Sequence, residues 1–431
     1  VPFTSPLLVV ERREYGWLER RTVEDLMPEE VNGRRALVRV DFNVPLKEEN
    51  GAHKVASDVR IRAALPTLDA LRAHGTVIVL ASHLGRPKGK REPSLSLAPV
   101  GERLEELLGR RVAFLAEPFD ARSVKLVQAA QGDETFLLEN LRFEPGETKN
   151  DPDLARRLAE YGEVFVQDAF GTCHRAHAST VGVTEYLDPC VAGRLVTGEL
   201  AAFRQLLEEP ERPFVAILGG AKIADKLDTV RGLAERCDRV CVGGGMANTF
   251  LAARGIEIGD SLVEQEMLGE ARPLLDRLGD KLVLPRDAVV AKETRGGGER
   301  VVEIEAGIEP GWKILDVGPA TIAAFDGVVK ESRTVFWNGP LGVFESPPFD
   351  RGTRTLAERL AEATARGAYT VVGGGDSIAA LEEAGLLERV SHASTGGGAA
   401  LELVSGARLP GIEALDPAFR QHGGSGRGAE R

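Results

Sequence analysis

The chain has 431 residues, more than one hydrophobic core usually covers, so two domains are expected. Its composition is 43% hydrophobic and 28% charged, as in an ordinary globular protein, and a net charge of −12 argues against a general nucleic-acid binder. Cys173, Cys190, Cys237 and Cys241 show neither a pairing framework nor CxxC spacing, and no apolar run reaches the ~20 residues of a membrane helix, so a cytoplasmic monomer is expected.

Residues 1–20 read as a poorly ordered extension, and so does the glycine-rich end around Gly423, Gly424, Gly426 and Gly428. Between them, short apolar, β-branched runs alternate with amphipathic patterns. The first half carries strand-like runs at 35–41, 76–82, 111–115, 134–139 and 163–168, with helical patterns at 58–74, 97–108 and 152–161. Pro66 should kink or restart the first of these helices. A helix at 198–209, closed by Pro210-Glu211-Arg212-Pro213, marks the boundary between halves and suits a stiff, hinge-like connector. The second half repeats the rhythm with strands at 214–218, 239–242, 281–284, 335–337 and 369–372, and helices at 222–236, 353–365 and near 399–404.

Such alternation implies an α/β fold of two doubly wound, parallel-sheet (Rossmann-like) domains joined by a helical hinge. The expected boundaries are 21–195 for the first domain, 196–213 for the hinge, 214–404 for the second domain and 405–431 for a C-terminal segment.

Ligands of parallel sheets gather at the carboxyl ends of the strands. In the first half those ends carry Asp41 and Asn43, then His83 and Arg86, then Arg142, and finally Arg175; Arg60 sits in the first turn of the helix opened by Ser57-Asp58. One such arginine alone reads as a solvated charge or half of an ion pair. Repeated at the strand ends of one sheet, they point to an anion site, because guanidinium forks match carboxylate and phosphate oxygens. His174 and His177 are three apart, but no Cys or carboxylate completes a metal set, so anion contact or structural hydrogen bonding is expected of them.

The second half places glycines where the first places arginines. Gly219-Gly220-Ala221 is followed by Lys222 and Lys226, which are four apart and expected on one helix face. Gly243-Gly244-Gly245, Gly373-Gly374-Gly375-Asp376-Ser377 and Gly396-Gly397-Gly398 complete the set. Glycines let the backbone approach a phosphate, and helix N-termini supply amide donors. A single triplet is more often a tight turn; four of them, with two lysines and Asp376, favour nucleotide binding. No GxxxxGK[ST] or GxGxxG is present, so neither a P-loop nucleotidase nor a dinucleotide-dependent dehydrogenase is supported.

Taken in order, RVDFNVP (39–45), HLGRP (83–87), DAFGTCHRAHAS (168–179), GGAKIADK (219–226), WNGPLGVFE (337–345), GGGDS (373–377) and STGGGAALEL (394–403) resemble the signature segments of the phosphoglycerate kinase family, over about residues 22–416. The resemblance implies phosphoryl transfer between 1,3-bisphosphoglycerate and ADP, giving 3-phosphoglycerate and ATP. It implies that Asp41, Asn43, Arg60, His83, Arg86, Arg142 and Arg175 hold the phosphoglycerate. Arg60, Lys222 and the amides of Gly396, Gly397 and Gly398 would serve the moving phosphoryl group. The nucleotide would meet Gly219, Gly220, Ala221, Lys226, Gly243, Gly244, Asn338, Glu345, Gly373, Gly374, Gly375, Asp376 and Ser377, with Glu345 at the ribose and Asp376 binding Mg²⁺. No nucleic-acid or membrane partner is implied.

Three positions depart from the family pattern. Arg194 and Gly198 stand in the hinge where Phe and Lys are common, and Cys173 replaces a small residue, which would expose the site to oxidation. Two other readings remain: a related kinase acting on another carboxylate, which a substrate panel separates, and a non-catalytic nucleotide-binding protein. The mark of the second would be loss of Arg60, Lys222 or Asp376, and all three are present.

Overall fold

The computed structural model describes residues 16–49, 51–221, 226–295 and 297–418. Two six-stranded parallel sheets dominate it. The first runs, edge to edge, Val112–Leu115, Thr135–Leu138, Val77–Ala81, Arg35–Val40, Val164–Asp168 and Cys190–Ala192. The second runs Leu282–Val283, Arg239–Val242, Phe214–Leu218, Thr334–Asn338, Tyr369–Gly373 and His392–Ser394. Their central strands are buried along nearly their whole length, the pattern of sheets covered by helices on both faces. The expected strands thus form, within a residue or two at each end.

Three elements differ from expectation. The helix Val59–Arg72 continues through Pro66 without restarting. Its apolar face, including Ile61, Ala64, Leu68 and Leu71, is buried, and that packing outweighs the one backbone bond Pro66 cannot make. The α-helix after the first glycine loop begins at Leu227, with Lys226 as its N-cap; Lys222 lies outside the described residues, and with it the helix face expected of the pair. A three-stranded antiparallel sheet, formed by Asp287–Ala291, Arg300–Glu303 and Lys313–Val317, appears where no strands were expected.

Residues 16–20, expected to be poorly ordered, are instead packed: Leu18 is buried in the core and Arg20 Nε donates to Ile412 O at 3.0 Å. Residues 1–15 and the glycine-rich end beyond 418 lie outside the described residues. Leu409, Ile412 and Leu415 carry the C-terminal segment back onto the first half, where Gly411 N donates to Cys173 O at 2.9 Å.

The two halves share the helix Arg194–Glu208. Phe203 on this helix stacks on Phe170 of the first half, with centroids 5.7 Å apart, and meets Phe336 of the second edge-on at 6.4 Å. Arg194 ties the helix start to the first half through Glu24 Oε1 at 2.6 Å and Pro66 O at 3.2 Å.

Asp168, at the end of its strand, caps the same helix: Oδ1 accepts from Leu195 N at 3.0 Å and Val196 N at 3.4 Å. Gly193 is required there, because a Cβ would lie 2.2 Å from that oxygen. The second oxygen, Oδ2, is buried without a hydrogen-bond partner. Burial pushes the Asp168 carboxyl up to about 7, against the opposing bonds from Thr67 and the two amides.

A carboxyl raised on folding favours the folded state fully only below its unfolded value near ~4. That contribution is lost as pH rises through about 7. Asn at this position keeps the accepting oxygen and cannot ionise. Asp168→Asn is therefore expected to flatten the decline in unfolding free energy over this interval, by up to about 1.4 kcal/mol per pH unit. Urea titrations across the interval check this; an unchanged pH profile contradicts it.

Candidate active site

The strand ends of the first sheet open onto a cavity of about 420 Å³. Asp41, Asn43, Arg60, His83, Arg86, Arg142 and Arg175 all line it, so the structure brings the whole expected basic set together. Arg60 Nη1 donates to Asp41 Oδ2 at 3.0 Å, which orients the guanidinium over the carboxyl end of the central strand. Asn43 is held by its neighbours: Oδ1 accepts from Gly85 N at 2.9 Å. Arg142 Nη1 donates to Gly85 O at 2.7 Å, and burial with the nearby Arg39 charge lowers the Arg142 pKa to about 10. Arg175 Nε donates to His174 Nε2 at 3.0 Å, while Arg86 is exposed.

Four arginines face one carboxylate here, so the local field opposes the chain's net negative charge. The same field and burial lower the pKa of His174 to about 4 and that of His177 to about 3, leaving both rings neutral at physiological pH. No group of three His, Cys, Asp or Glu able to hold a metal ion occurs among the described residues. Cys173 is fully buried and burial raises its thiol well above the ordinary value, so the expected oxidation sensitivity is not supported: the thiol is both protonated and shielded.

The second half also reaches this cavity. Thr395, Gly396, Gly397 and Gly398 line it, following the strand His392–Ser394. A Cβ on Gly396 would sit 2.4 Å from the Phe170 ring, so glycine allows the loop to lie against the first half. Gly397 has φ +44°, a conformation that favours glycine. Glu199 on the shared helix fixes this loop. Its Oε1 accepts from Thr395 N at 2.7 Å and from Thr395 Oγ1 at 2.9 Å, and its Oε2 accepts from His392 Nε2 at 2.7 Å.

A second cavity, about 400 Å³, lies over the second sheet. Gly220, Ala221, Gly244, Glu345 and Asp376 line it, and most of the remaining wall is apolar. The other expected residues stand behind it. A Cβ on Gly219 would sit 2.1 Å from Pro340 O, so this turn has room for glycine only. Lys226 Nζ donates to Gly219 O at 2.9 Å and contacts Asn338 Oδ1 at 3.4 Å, beside Gly220. Gly243 packs on Leu341, and Gly373 and Gly374 pack closely on Asn338. Ser377 is buried and structural: its hydroxyl accepts from Gly339 N at 2.7 Å. Gly375 opens the helix Gly375–Glu383, whose first turn carries Asp376 exposed.

Sequence reasoning missed the far wall, which comes from the antiparallel sheet and from Asn248, Leu251 and Leu262. It also missed Asp316, which accepts from Val317 N and Gly352 N at 2.8 Å each and is raised to about 7 by burial. The available signal was the short stretch Ile314, Leu315 and Val317 around Asp316, ended by Gly318-Pro319.

The model of the phosphoglycerate kinase family matches residues 23–407. The chain belongs to that family. It is 49% identical to the phosphoglycerate kinase of Chloroflexus aggregans over 410 residues, which covers 93% of this chain and all of that protein. It is 47% identical to that of Thermosynechococcus vestitus, with the same coverage. The solved phosphoglycerate kinase of Coxiella burnetii superposes with a TM-score of 0.78 at 39% identity, covering 92% of this chain and 99% of that one. The Pyrococcus horikoshii enzyme gives 0.81 at 29% identity, covering 93% and 99%. The chain is accordingly a kinase that transfers a phosphoryl group reversibly between 1,3-bisphosphoglycerate and ADP, a step of glycolysis.

Proposed function

We propose that the two cavities divide this reaction between them, with 3-phosphoglycerate or 1,3-bisphosphoglycerate in the arginine-lined one and ATP or ADP in the glycine-lined one. The observation that carries the reading is the shared lining of the first cavity: arginines of one half face glycine amides of the other across a single space. The proposed domain limits are 21–195 and 214–404, with the hinge at 196–213; the connecting helix itself begins at Arg194, earlier than the expected 198, and ends at Glu208.

In the ATP-consuming direction the nucleophile is a carboxylate, ionised at neutral pH, so the reaction needs alignment and charge neutralisation and no general base. The cavity supports that division of labour. Its chemistry is guanidinium and amide, and His174 and His177 are held neutral. Asp41, Asn43, His83, Arg86, Arg142 and Arg175 orient the three-carbon anion. Arg60 leaves Asp41 to neutralise charge on the equatorial oxygens of the transferring group, together with the amides of Gly396, Gly397 and Gly398 and with Lys222. Closure of the halves would complete this in-line arrangement and exclude water from the acyl phosphate.

In the second cavity Gly219, Gly220, Ala221, Gly243 and Gly244 bring backbone close to the nucleotide, and Gly373, Gly374, Gly375 and Ser377 shape the turn that presents Asp376. Lys226 and Asn338 reach the phosphates, and Glu345 the ribose. The donor set fits magnesium: Asp376 is one exposed carboxylate, and Mg²⁺ commonly takes one or two carboxylates and completes its shell with water and nucleotide phosphates. Bound there, the ion would neutralise phosphate charge. A monomer in the cytoplasm, without nucleic-acid or membrane partners, completes the proposal. The acidic net charge speaks against a general nucleic-acid partner, and among the described residues no helix is long and apolar enough to cross a membrane.

Two variants test the assignment in a coupled assay of ATP-dependent phosphorylation of 3-phosphoglycerate with and without Mg²⁺. Turnover should require the metal. Arg60→Ala should lower kcat by roughly 10³-fold with ligand binding largely kept. Lys226→Ala should act mainly by raising the nucleotide KM. Near-normal kcat in the first, or an unchanged nucleotide KM in the second, removes that residue from its role.

A further inference from the structure

Beneath the arginine-lined cavity runs a buried polar chain that includes two residues the proposed mechanism does not use. Arg39, on the strand Arg35–Val40, is 0% exposed, and so is Glu147. Arg39 Nε donates to Ser179 Oγ at 2.8 Å, and Ser179 Oγ donates to Glu147 Oε1 at 2.6 Å. Ser179 N donates to Glu147 Oε2 at 3.1 Å. The guanidinium thus has its counter-charge one hydroxyl away, and its Nη1 donates to Val40 O.

The remaining arm of Arg39 decides the state of a residue in the cavity. Arg39 Nη2 lies 3.3 Å from His83 Nδ1. A guanidinium can only donate, so Nδ1 must be the unprotonated, accepting nitrogen. Asp41 Oδ1, at 3.9 Å from the same nitrogen, is too far to claim a proton from it. The proton of the neutral ring therefore sits on Nε2, the one donor His83 has for an oxygen in the cavity it lines. A doubly protonated ring is opposed by burial first, and then by the charges of Arg39, Arg142 and Arg60 and by His177. The other neutral tautomer would set two N–H groups against each other at 3.3 Å and turn a lone pair toward an anionic ligand.

We propose that Arg39 is a positioning residue for the three-carbon substrate: held by Ser179 and Glu147, it locks His83 in the Nε2–H tautomer so that the ring donates to an oxygen of that anion. This rests on the reading of the arginine-lined cavity as the phosphoglycerate site. Arg39 touches no substrate; it acts through His83. Glu147 and Ser179 keep the buried guanidinium oriented, since an unpaired charge at that depth costs several kcal/mol.

Long-range ¹⁵N–¹H NMR on the full chain with labelled histidine tests it, with His83 assigned by loss of its signals in His83→Gln. The expected result is a neutral ring protonated at Nε2 and bare at Nδ1 from pH ~6 to ~8, whose Nε2–H signal moves when 3-phosphoglycerate is added. A ring protonated at Nδ1, or one that becomes cationic in this range, overturns the role of Arg39 and leaves the cavity assignment standing. An Nε2–H ring that 3-phosphoglycerate does not move overturns the cavity assignment instead, and the positioning role with it.

The double variant Arg39→Met/Glu147→Gln removes both buried charges together. It should free the tautomer and raise the KM for 3-phosphoglycerate roughly tenfold, the scale of one hydrogen bond to a charged group, while the nucleotide KM stays put. A folded double variant with the wild-type tautomer and KM contradicts the proposal.

Discussion

The arrangement of the whole molecule depends on one buried carboxylate. Glu199 sits inside the helix Arg194–Glu208, which meets both halves through Phe203, and it is 2% exposed. Through Thr395 and His392 it holds the end of the second sheet's last strand. The glycines that follow are thereby set against Phe170 and the arginines of the first sheet. Each sheet has a core confined to its own half, while a third, continuous core runs through the shared helix into both. The space in which two ligands could meet depends on the Glu199 contact.

A second constraint is electrostatic. The chain carries a net charge of −12, yet its substrates are polyanions. The fold resolves this by placing arginines from separate strand ends around one cavity while carboxylates elsewhere are spread over the surface. Buried polar groups beneath the cavity hold that concentration of charge in place. Asp41 takes Arg60, Gly85 O takes Arg142, and Glu147 offsets Arg39 through Ser179. A parallel sheet suits the task because successive strands end at the same edge, so residues far apart in sequence become neighbours.

That geometry also explains what the sequence made legible. Short apolar runs give strands almost unambiguously when both faces are buried, and the residues just after them line the cavities, so His83, Arg142 and Asp376 were readable as cavity residues before any coordinates. The position of Lys226 as an N-cap was not legible, because a helix start depends on a turn whose glycines fit many conformations. That the helix Val59–Arg72 runs on through Pro66 without restarting was not legible, because its packing against neighbours cannot be seen in local propensity. The antiparallel sheet escaped notice since its middle strand, Arg300–Glu303, is short and largely exposed, with no apolar signature. Nothing in the sequence singled out Glu147 or a role for Arg39, and only their burial reveals the chain that connects them to His83.

The most direct test of this account compares binding with turnover in one variant, Glu199→Gln. The amide keeps the size of the side chain and loses the charge that three donors share. The account predicts that 3-phosphoglycerate and Mg-ATP each bind the variant about as well as the wild type, while phosphorylation of 3-phosphoglycerate falls steeply, because the arginines and the nucleotide cavity are untouched while the glycine loop lining the arginine cavity is released. Full turnover in Glu199→Gln would contradict the account, as would a loss of binding that by itself explains the loss of turnover.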